Sequence, residues 1–323
     1  MDRRAHPAAD VAHPEGGVPV TELLLHDVSR WYGNVVAVND VTMSIGPGIT
    51  GLLGPNGAGK STLLSMMAGL LPPSKGSVTI DGVPTRGDVR IYRRIGLVPV
   101  AEPLYDFLTG AQFVRLNADL HQVPDPVAAT AYAVGEVDMA AAADRRISTY
   151  SKGMRQRIKV ASALVHDPDV LLLDEPFNGM DPVQRRHMMG LLQRYGDGGK
   201  VIVFSSHILE EVEQIARQVE VVVASRHAAS GDFAEIRRLM TDRPNQYVVR
   251  SSDPRALAGL LLSDDCVRGV RLRTKGLLEV ESDDAGRFAR VVPRLAREHG
   301  IRILELTPTD ESLESVFSYL VGA

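Results

Sequence analysis

The chain has 323 residues, of which 44% are hydrophobic and 24% charged, so it is long enough for one large or two moderate globular domains. Its formal net charge of −4 lacks the basic footprint of a nucleic-acid-binding protein, and we expect no nucleic-acid partner. The single cysteine, Cys266, excludes an intramolecular disulfide framework and a cysteine-rich zinc site, as fits a reducing cytoplasm.

The amino-terminal segment, residues 1–20, is rich in proline, glycine, alanine and charged residues and has no apolar run of the signal-peptide kind. This composition predicts a disordered leader. No segment approaches the roughly 18 consecutive apolar residues that a membrane span needs. We therefore expect that the chain alone neither crosses nor enters a membrane.

Residues 21–100 predict short strands on both sides of a glycine-rich loop. The strand VTMSI is the clearest, because Val41, Met43 and Ile45 alternate with polar residues. TELLLHDVS before it, and SVTIDG and RIGLVPV after it, are further predicted strands. The apolar strand ITGLL leads into the loop, and KSTLLSMMAGLL after the loop has helical character until LPPSKG ends it.

Residues 107–165 are rich in alanine and leucine and contain no convincing strand, so we predict a helical subdomain there. From residue 169 onward strands and helices alternate. DVLLLDE, KVIVFSSH and VEVVVA are predicted strands, and PVQRRHMMGLLQRYG and ILEEVEQIARQ are predicted helices. Near-continuous apolar strands between helices indicate a parallel sheet covered on both faces.

A second unit is predicted for residues 241–323, beginning with the linker TDRPNQ. Its predicted elements are strand 246–251, helix 253–262, strand 267–273, strand 276–281, helix 284–299, strand 301–306 and a final helix 310–321. The order β-α-β-β-α-β suggests a small ferredoxin-like α+β domain.

The loop GPNGAGKST fits the phosphate-loop pattern G-x-x-x-x-G-K-[ST]. Gly54, Gly57 and Gly59 permit backbone angles that turn successive N–H groups inward, which makes an anion-binding nest. The helix that starts near Lys60 adds its positive end, and the Lys60 ammonium can reach the outer phosphates of a nucleoside triphosphate. The alternative, a glycine-rich turn that holds nothing, is disfavoured by the strand before the loop and the helix after it.

Two hydroxyl residues at the end of this loop complete the predicted nucleotide site. The Ser61 hydroxyl can bind Mg²⁺, and Thr62 lies close to the inner phosphates. The residues predicted to contact the nucleotide in the loop are Asn56, Gly57, Ala58, Gly59, Lys60, Ser61 and Thr62.

Acidic and histidine side chains follow the next two buried strands. Asp174 and Glu175 end the strand DVLLLDE, and His207 ends the strand KVIVFSSH. Ligands of open α/β sheets bind at the carboxyl ends of the strands, so the three side chains are expected on one edge. There Asp174 would hold Mg²⁺, Glu175 would orient or polarise the attacking water, and His207 would sense the terminal phosphate. The alternative is a solvated strand end.

The segments YSKGMRQR, LLLDEP, NGMD and SSH follow the phosphate loop in this order, and over residues 21–235 the chain resembles the ATP-binding cassette (ABC) family. YSKGM is similar to the family's signature motif, usually LSGGQ, which contacts the ATP held by a second subunit. The resemblance implies a P-loop NTPase of the ABC cassette type, with a mixed sheet and a helical subdomain. It also implies a head-to-tail dimer of two copies around two ATP molecules.

The resemblance assigns further residues. Ser151 is a good N-cap for the helical segment after it, and its hydroxyl, the Gly153 N–H and the positive helix end would form a second phosphate clamp. The alternative there is an ordinary capped helix. Tyr32 matches the family's aromatic residue that stacks on adenine, with Trp31 as a nearby competitor. Asp181 matches the loop that couples the two sites across the dimer.

The sequence departs from the family pattern at two motifs. Val100 stands where the family usually has a glutamine that approaches Mg²⁺ and the attacking water and links the nucleotide to the helical subdomain. Valine can do neither by hydrogen bonding, and Glu102 is a weak substitute. Lys152 and Met154 replace a glycine and a glutamine of the signature, in the form common among bacterial exporters whose permease is a separate chain.

These features predict an ABC ATP-binding domain at residues 21–240 and an accessory domain at 241–323, whose tail is similar to that of the same exporters. We predict an ATPase subunit that uses ATP and Mg²⁺, pairs with a second copy of itself and drives a separate membrane permease. Such a subunit is cytoplasmic and held on the cytoplasmic face of the membrane through the permease, with Tyr105 and Phe107 as candidate contacts.

Two other functions stay open. A soluble ABC ATPase acting on ribosomes or DNA is disfavoured because the chain has one cassette and a short helical insert without a long coiled coil. A weakly hydrolysing regulatory nucleotide-binding module is favoured only by Val100.

Overall fold

The computed structural model describes residues 21–100, 104–232, 235–236, 245–273 and 276–308. The predicted leader at 1–20, Glu102 and the predicted helix 310–321 lie outside these residues. The helices and strands below are numbered along the described part of the chain.

The first ten strands belong to two sheets. They are β1 Leu23–Tyr32, β2 Val35–Ile45, β3 Gly48–Leu53, β4 Lys75–Ile80, β5 Val83–Pro84, β6 Ile95–Val98, β7 Val170–Asp174, β8 Val201–Ser206, β9 Gln218–Val223 and β10 Arg226–Gly231. One sheet is antiparallel with the order β2-β1-β4-β5, and the other has the order β10-β9-β3-β8-β7-β6. The strands β9, β3, β8, β7 and β6 are mutually parallel, and β10 adds an antiparallel edge.

Within the described ranges, six α-helices accompany these sheets. They are α1 Lys60–Met67, α2 Gly110–Leu120, α3 Pro126–Glu136, α4 Lys152–Leu164, α5 Pro182–Asp197 and α6 Leu209–Ile215. The predicted helical subdomain consists of α2, α3 and α4. Thr109 starts α2 with a capping box to Gln112, and Asp125 caps α3 ahead of Pro126, so the local sequence fixes where both helices begin.

The parallel sheet is buried on both faces, as its apolar strands predict. All five residues of β7 are buried, and its side chains alternate between two hydrophobic clusters. Leu171 and Leu173 pack with the helical subdomain and α5, whereas Val170 and Leu172 pack with α1 and the antiparallel sheet. Each such side chain contributes roughly 1.5–3 kcal/mol through burial, which holds the strand ends in place.

The accessory domain has its own small core. Its elements are β11 Asn245–Ser251, α7 Pro254–Leu261, β12 Val267–Leu272, β13 Leu277–Ser282, α8 Ala285–Glu298 and β14 Ile303–Pro308. The sheet is antiparallel with the order β12-β13-β11-β14. Val249, Val280 and Phe288 are fully buried between the sheet and the helices. This arrangement is compatible with the predicted ferredoxin-like fold.

Helix α1 and strand β10 are among the elements that differ from the sequence prediction. Helix α1 ends at Met67 rather than at residue 71, because Gly69 takes a left-handed φ of +71° and a Cβ there would lie 2.0 Å from the Thr85 carbonyl oxygen. Strand β10 was not predicted, since its sequence RHAASG carries no hydrophobic alternation. It forms because β9 offers an edge with which it pairs in antiparallel fashion.

Candidate functional site

The candidate site lies at the carboxyl edge of three neighbouring parallel strands. Strand β3 runs into the glycine-rich loop, β7 ends at Asp174, and β8 lies between them in the sheet. Asp174 pairs in register with Ser205 of β8. Sheet topology therefore brings together segments that are more than one hundred residues apart in the chain.

The glycine-rich loop has the backbone of an anion nest. Gly57 and Gly59 take φ values of +82° and +104°, which favour glycine. Gly54 is needed for a different reason, because a Cβ at this position would lie 2.2 Å from the Val222 carbonyl oxygen. A Cβ at Gly59 would also lie 2.4 Å from the Ala37 carbonyl oxygen. The loop is therefore restricted to glycine at these positions, and it leads directly into α1.

Lys60 is folded back on the loop that it follows. Its side chain is buried, and Nζ donates hydrogen bonds to the carbonyl oxygens of Gly54 at 2.7 Å and Pro55 at 3.0 Å. Burial lowers the pKa of Lys60, while the charges of Glu175 and Asp174 act in the opposite direction. An ammonium group thus stands between the loop and the acidic pair.

The other residues of the loop differ in their exposure to solvent. Asn56, Gly57 and Ser61 are exposed, Thr62 is half-buried, and Ala58 is buried. The Ala58 N–H donates to the Pro55 carbonyl oxygen at 3.2 Å, which closes the turn before α1.

Asp174 is a buried carboxylate held by a serine that the sequence analysis missed. Ser205 Oγ donates to Asp174 Oδ1 at 2.5 Å and accepts from the Glu175 N–H at 3.0 Å. One hydroxyl therefore fixes both acids. In the sequence, the position of Ser205 in SSH, at the end of a buried strand, could have indicated a role in the site. Its partners become evident only from the register of β7 and β8, which pairs Asp174 with Ser205.

Glu175 has a left-handed backbone with φ of +48°, which turns it away from the line of β7. Its Oε1 lies 3.0 Å from Nδ1 of His207, and its Oε2 accepts from Asn178 Nδ2 at 3.4 Å. Lys152 Nζ in turn donates to Asn178 Oδ1 at 3.1 Å. The structure brings His207 to Glu175 as predicted, and it adds Asn178, which the sequence analysis missed.

The turn at Ser151 is an N-cap, as the sequence predicts. Ser151 Oγ accepts from the Met154 N–H at 3.2 Å and starts α4. Gly153 is buried, and a Cβ there would lie 2.5 Å from Gln184 Oε1 and 3.0 Å from the Gly179 carbonyl oxygen. The single glycine of the signature segment is therefore favoured by its close packing against Gln184 of α5 and the loop before this helix.

Asp181 caps the next helix. Its Oδ1 accepts from the N–H groups of Val183 and Gln184, each at 2.9 Å, and Pro182 occupies the first helical position. Within one chain this carboxylate therefore has a local structural role, and its coupling role between two copies stays a prediction.

Tyr32 and Trp31 are similarly exposed, at 48% and 43%. The Arg30 guanidinium carbon lies 4.7 Å from the centre of the Tyr32 ring. Trp31 instead lines a separate cavity of about 410 Å³ together with Lys75 and Arg226. Adjacent residues of a strand point to opposite faces, so only one of the two rings can face a given ligand. The assignment of Tyr32 to adenine stays a prediction.

A cleft of about 380 Å³ opens between α4, the segment after β6 and the acidic edge. Its walls are formed by Val100, Leu104, Asp106, Lys152, Arg155, Gln156, Lys159, Asp174, Glu175 and Asn178. The Val100 side chain supplies no polar group, whereas α4 supplies several.

The residues fit a triphosphate with its Mg²⁺. The nest, the helix start and Lys60 suit phosphate oxygens, and Asp174 and the Ser61 hydroxyl are oxygen donors of the type that Mg²⁺ prefers. Within the described ranges no group of three or more His, Cys, Asp or Glu is arranged to hold a metal. A Mg²⁺ at this edge would therefore take other ligands from phosphate and water.

Comparison with known protein families and relatives agrees with this geometry. A family model described as ABC transporter matches residues 38–178. The linearmycin resistance ATP-binding protein LnrL of Bacillus subtilis is 30% identical over 309 residues, covering 93% of this chain and 98% of that protein. The Nod factor export ATP-binding protein I of Rhizobium leguminosarum bv. viciae is 30% identical over 320 residues, covering 96% of this chain and 97% of that protein.

Other matches are shorter. An uncharacterised ABC transporter ATP-binding protein of Nostoc sp. is 38% identical over 208 residues, and the match covers 62% of each chain. A solved structure of an ATP-binding subunit of an ABC transporter superposes with a TM-score of 0.62 at 27% identity, covering 67% of this chain and 92% of that one.

Across the described residues, no helix combines the length and apolar character that crossing a bilayer requires.

Proposed function

Because this chain belongs to the family of ABC transporter ATP-binding proteins, we propose that it is the ATP-hydrolysing subunit of an exporter, in which two copies enclose two ATP molecules and drive a separate membrane permease. The observation that carries the proposal is the convergence at one sheet edge of the Lys60 loop, the buried Asp174 and the Glu175–His207 pair, whose Oε1 and Nδ1 atoms are 3.0 Å apart.

The chemistry follows from the roles that these side chains can take. The nest and Lys60 bind and orient the phosphates, while Asp174 and Ser61 would hold Mg²⁺, which neutralises phosphate charge when it is bound. Glu175 orients the attacking water and accepts its proton. His207 holds the Glu175 carboxylate in place and is close enough to respond to the terminal phosphate. Phosphoryl transfer depends mainly on such positioning and on fixed charge.

The second copy enters the proposal because the Ser151 turn is similar to the family's signature motif, which contacts the ATP held by a second subunit. Ser151 and the first turn of α4 offer a hydroxyl, backbone N–H groups and a positive helix end at the surface. In a two-fold dimer the loop of one copy and the Ser151 turn of the other would grip the same nucleotide. Asp181 would lie at the contact between the two sites.

The link to export rests on the names of relatives. LnrL is a resistance protein, and the relatives in Rhizobium leguminosarum and Bacillus licheniformis are named for Nod factor export and bacitracin transport. We infer that this subunit is held on the cytoplasmic face of a membrane by its permease. Tyr105 and Phe107, which are 50% and 71% exposed beside the cleft, are the proposed contacts.

A second candidate function is a nucleotide-binding module with weak hydrolysis. Val100 favours it, because its side chain supplies no hydrogen-bonding group to the cleft. Turnover by the purified chain decides between the two functions.

The test compares wild type with Glu175→Gln. We expect steady-state ATP hydrolysis by the wild type and a loss of at least about 100-fold in the variant, since its amide cannot accept the proton from water. The variant is also expected to double its mass in light scattering when ATP is added. Glu210→Gln, an acid on α6 outside the site, is the control and should hydrolyse ATP normally.

The proposal fails in two distinguishable ways. A wild type that hydrolyses no ATP would contradict the assignment of an ATPase. A Glu175→Gln variant that stays monomeric at saturating ATP would contradict the shared site.

A further inference from the structure

Lys159 is a buried lysine of α4 whose side chain enters the catalytic cleft. It is 7% exposed, and its Nζ donates to the carbonyl oxygens of Pro99 at 3.0 Å and Val100 at 3.2 Å. Lysine is almost never fully buried unless its charge is paired or hydrogen-bonded. The two carbonyl groups are thus hydrogen-bond partners of this ammonium group in the cleft.

The two carbonyl groups belong to the segment that flanks the acidic pair. Strand β6 is the immediate neighbour of β7, with Val98 in register with Leu173. Pro99 and Val100 therefore continue beside the end of β7, where Asp174 and Glu175 lie. The cleft residues Lys159, Val100, Asp174 and Glu175 face the same space.

The other end of the connection is the signature helix. Helix α4 begins at the Ser151 turn, and the residues Lys152, Arg155, Gln156 and Lys159 form one face of it toward the cleft. The Lys159 hydrogen bonds therefore join α4 directly to the segment beside Glu175. The hydrogen bonds from Lys159 make this connection to the backbone at position 100, whose own side chain is apolar.

Gln156 supports a functional rather than a purely structural reading of this face. It is 7% exposed, and its Nε2 has no hydrogen-bond partner among the residues that the structure describes. A buried amide without a partner is uncommon and indicates a group that is satisfied by a ligand or water. It lies about one turn before Lys159 and lines the same cleft as the two acids.

We propose that Lys159 is a positioning residue. From its place on α4 it makes the polar connection between the helical subdomain and the catalytic edge that the apolar side chain of Val100 cannot make. It acts on the reaction through the backbone of residues 99–100 and not by touching the transferred phosphate. The inference rests on the proposed function, because it concerns the same ATP site.

The test uses the full chain with Lys159→Met, which keeps an unbranched side chain of nearly the same length and removes its charge. We expect the affinity for a fluorescent ATP analogue to stay within about 2-fold and kcat for ATP to fall at least about 10-fold, because positioning is lost but the phosphate nest is intact. Lys159→Arg should retain most of the turnover. In Lys159→Met/Val100→Gln, the new amide should restore at least half of the kcat that Lys159→Met lost.

Lys200→Met is the matched control. Lys200 Nζ also donates to a carbonyl oxygen, that of Asp167 at 3.2 Å, but it lies just before β8, at the opposite edge of the sheet. This variant should keep wild-type turnover. All variants are compared at the same interval below their own melting temperatures, so that lost stability is not mistaken for lost positioning.

A second readout does not depend on turnover. In a Glu175→Gln background, ATP should protect the backbone amides of the phosphate loop, of residues 95–100 and of α2 from hydrogen exchange. With Lys159→Met added, only the phosphate loop should remain protected. Unchanged protection of residues 95–100, or a normal kcat in Lys159→Met, would overturn the inference. If Val100→Gln does not restore turnover to Lys159→Met, the idea that Lys159 substitutes for a polar side chain at position 100 is wrong. If the wild type itself shows no turnover, the proposed function is contradicted instead.

Discussion

Glu175 shows how single residues at this site depend on one another. Its left-handed backbone, with φ of +48°, is uncommon for a residue other than glycine. The conformation is held by the bond from its N–H to Ser205 and by the contacts of its carboxylate with His207 and Asn178. The strained acid is thus supported by residues from β8 and from the loop after β7, which fix its carboxylate at the edge.

Ser205 is the residue whose removal tests this dependence. In Ser205→Ala, Asp174 loses its 2.5 Å donor and the Glu175 N–H loses its acceptor. We expect the free energy of unfolding to fall by about 1–3 kcal/mol, since buried polar groups are left unpaired. ATP turnover should fall as well, because both acids are displaced. Urea unfolding and a steady-state ATPase assay measure the two effects.

Ser206→Ala is the control for this prediction. Ser206 is also buried and donates to Glu211 at 2.6 Å, away from the two acids. A comparable loss of stability with unchanged turnover is expected. Equal turnover in the two variants would show that Ser205 has only a structural role.

The sequence predicts those site residues whose chemistry is tied to a local pattern. Lys60 follows a glycine loop between a strand and a helix, and Asp174 ends an apolar strand, so their neighbours in the chain already indicate their place. Ser205, Asn178 and Lys159 could not be assigned in this way. Each has a partner that is distant in the chain, namely Asp174 for Ser205, Lys152 for Asn178 and Pro99 for Lys159, and only folding brings these pairs together.

At the scale of helices and strands, the join between the helical subdomain and the sheet contains a stacked histidine pair. His121 ends α2 and His166 follows α4, and their ring centres are 3.7 Å apart with an angle of 6° between the planes. His166 Nε2 also lies 3.1 Å from the Ile95 carbonyl oxygen of β6. Burial and the neighbouring His121 lower the pKa of His166 to about 4, and burial lowers the pKa of His121.

This pair predicts a loss of stability in mild acid. The ordinary pKa of 6.5 applies to the unfolded chain, whereas folded His166 binds its proton only near pH 4. Between these pH values the unfolded state therefore binds more protons than the folded state. The contribution of His166 to the free energy of unfolding is fully present above about pH 6.5 and is lost as pH falls toward 4. A shift of this size corresponds to roughly 3 kcal/mol at most.

The measurement is urea unfolding between pH 7 and pH 4.5 for wild type and for His166→Phe, which keeps a stacking ring but cannot be protonated. A flatter pH dependence is expected for the variant. His187→Phe is the control, because His187 contacts the Glu136 carbonyl oxygen at 2.9 Å but is exposed. Identical slopes for wild type and His166→Phe would refute the role of His166.

Helices and strands with a strong local pattern were predictable, and those that depend on a neighbour were not. The buried strands β3, β7 and β8 follow from apolar runs, and α2 to α4 follow from helical composition and their N-caps. Strand β10 is polar and exists through its pairing with β9. The early end of α1 depends on contact between Gly69 and Thr85, which is distant in the chain.

At the scale of the whole molecule, the two halves of the proposed ATP site are offered by different parts of the same chain. The phosphate loop follows β3, and the Ser151 turn begins α4, whose cleft face is joined to the sheet edge through Lys159 and Lys152. Under the proposed function, two copies exchange these halves, so that each site combines the phosphate loop of one chain with the Ser151 turn of the other. Family membership supports this arrangement, and complementation between two defective chains tests it.

The last prediction mixes Lys60→Ala with Ser151→Asp. Lys60→Ala lacks the ammonium group that neutralises phosphate. Ser151→Asp keeps an N-capping side chain, so α4 should remain folded, but it adds a negative charge that repels the triphosphate. Each variant alone should be almost inactive, because every site in its homodimer is defective.

In an equal mixture, half of the dimers contain one copy of each variant. Such a dimer has one intact site, formed by the phosphate loop of the Ser151→Asp chain and the Ser151 turn of the Lys60→Ala chain. Turnover should therefore recover to about a quarter of the wild-type value if the two sites work independently. Mixing either variant with Lys60→Ala/Ser151→Asp should restore nothing, because no dimer in these mixtures has an intact site. A mixture of the two single variants that stays as inactive as its components, while light scattering shows that dimers form, would mean that each chain hydrolyses ATP without the signature turn of the other.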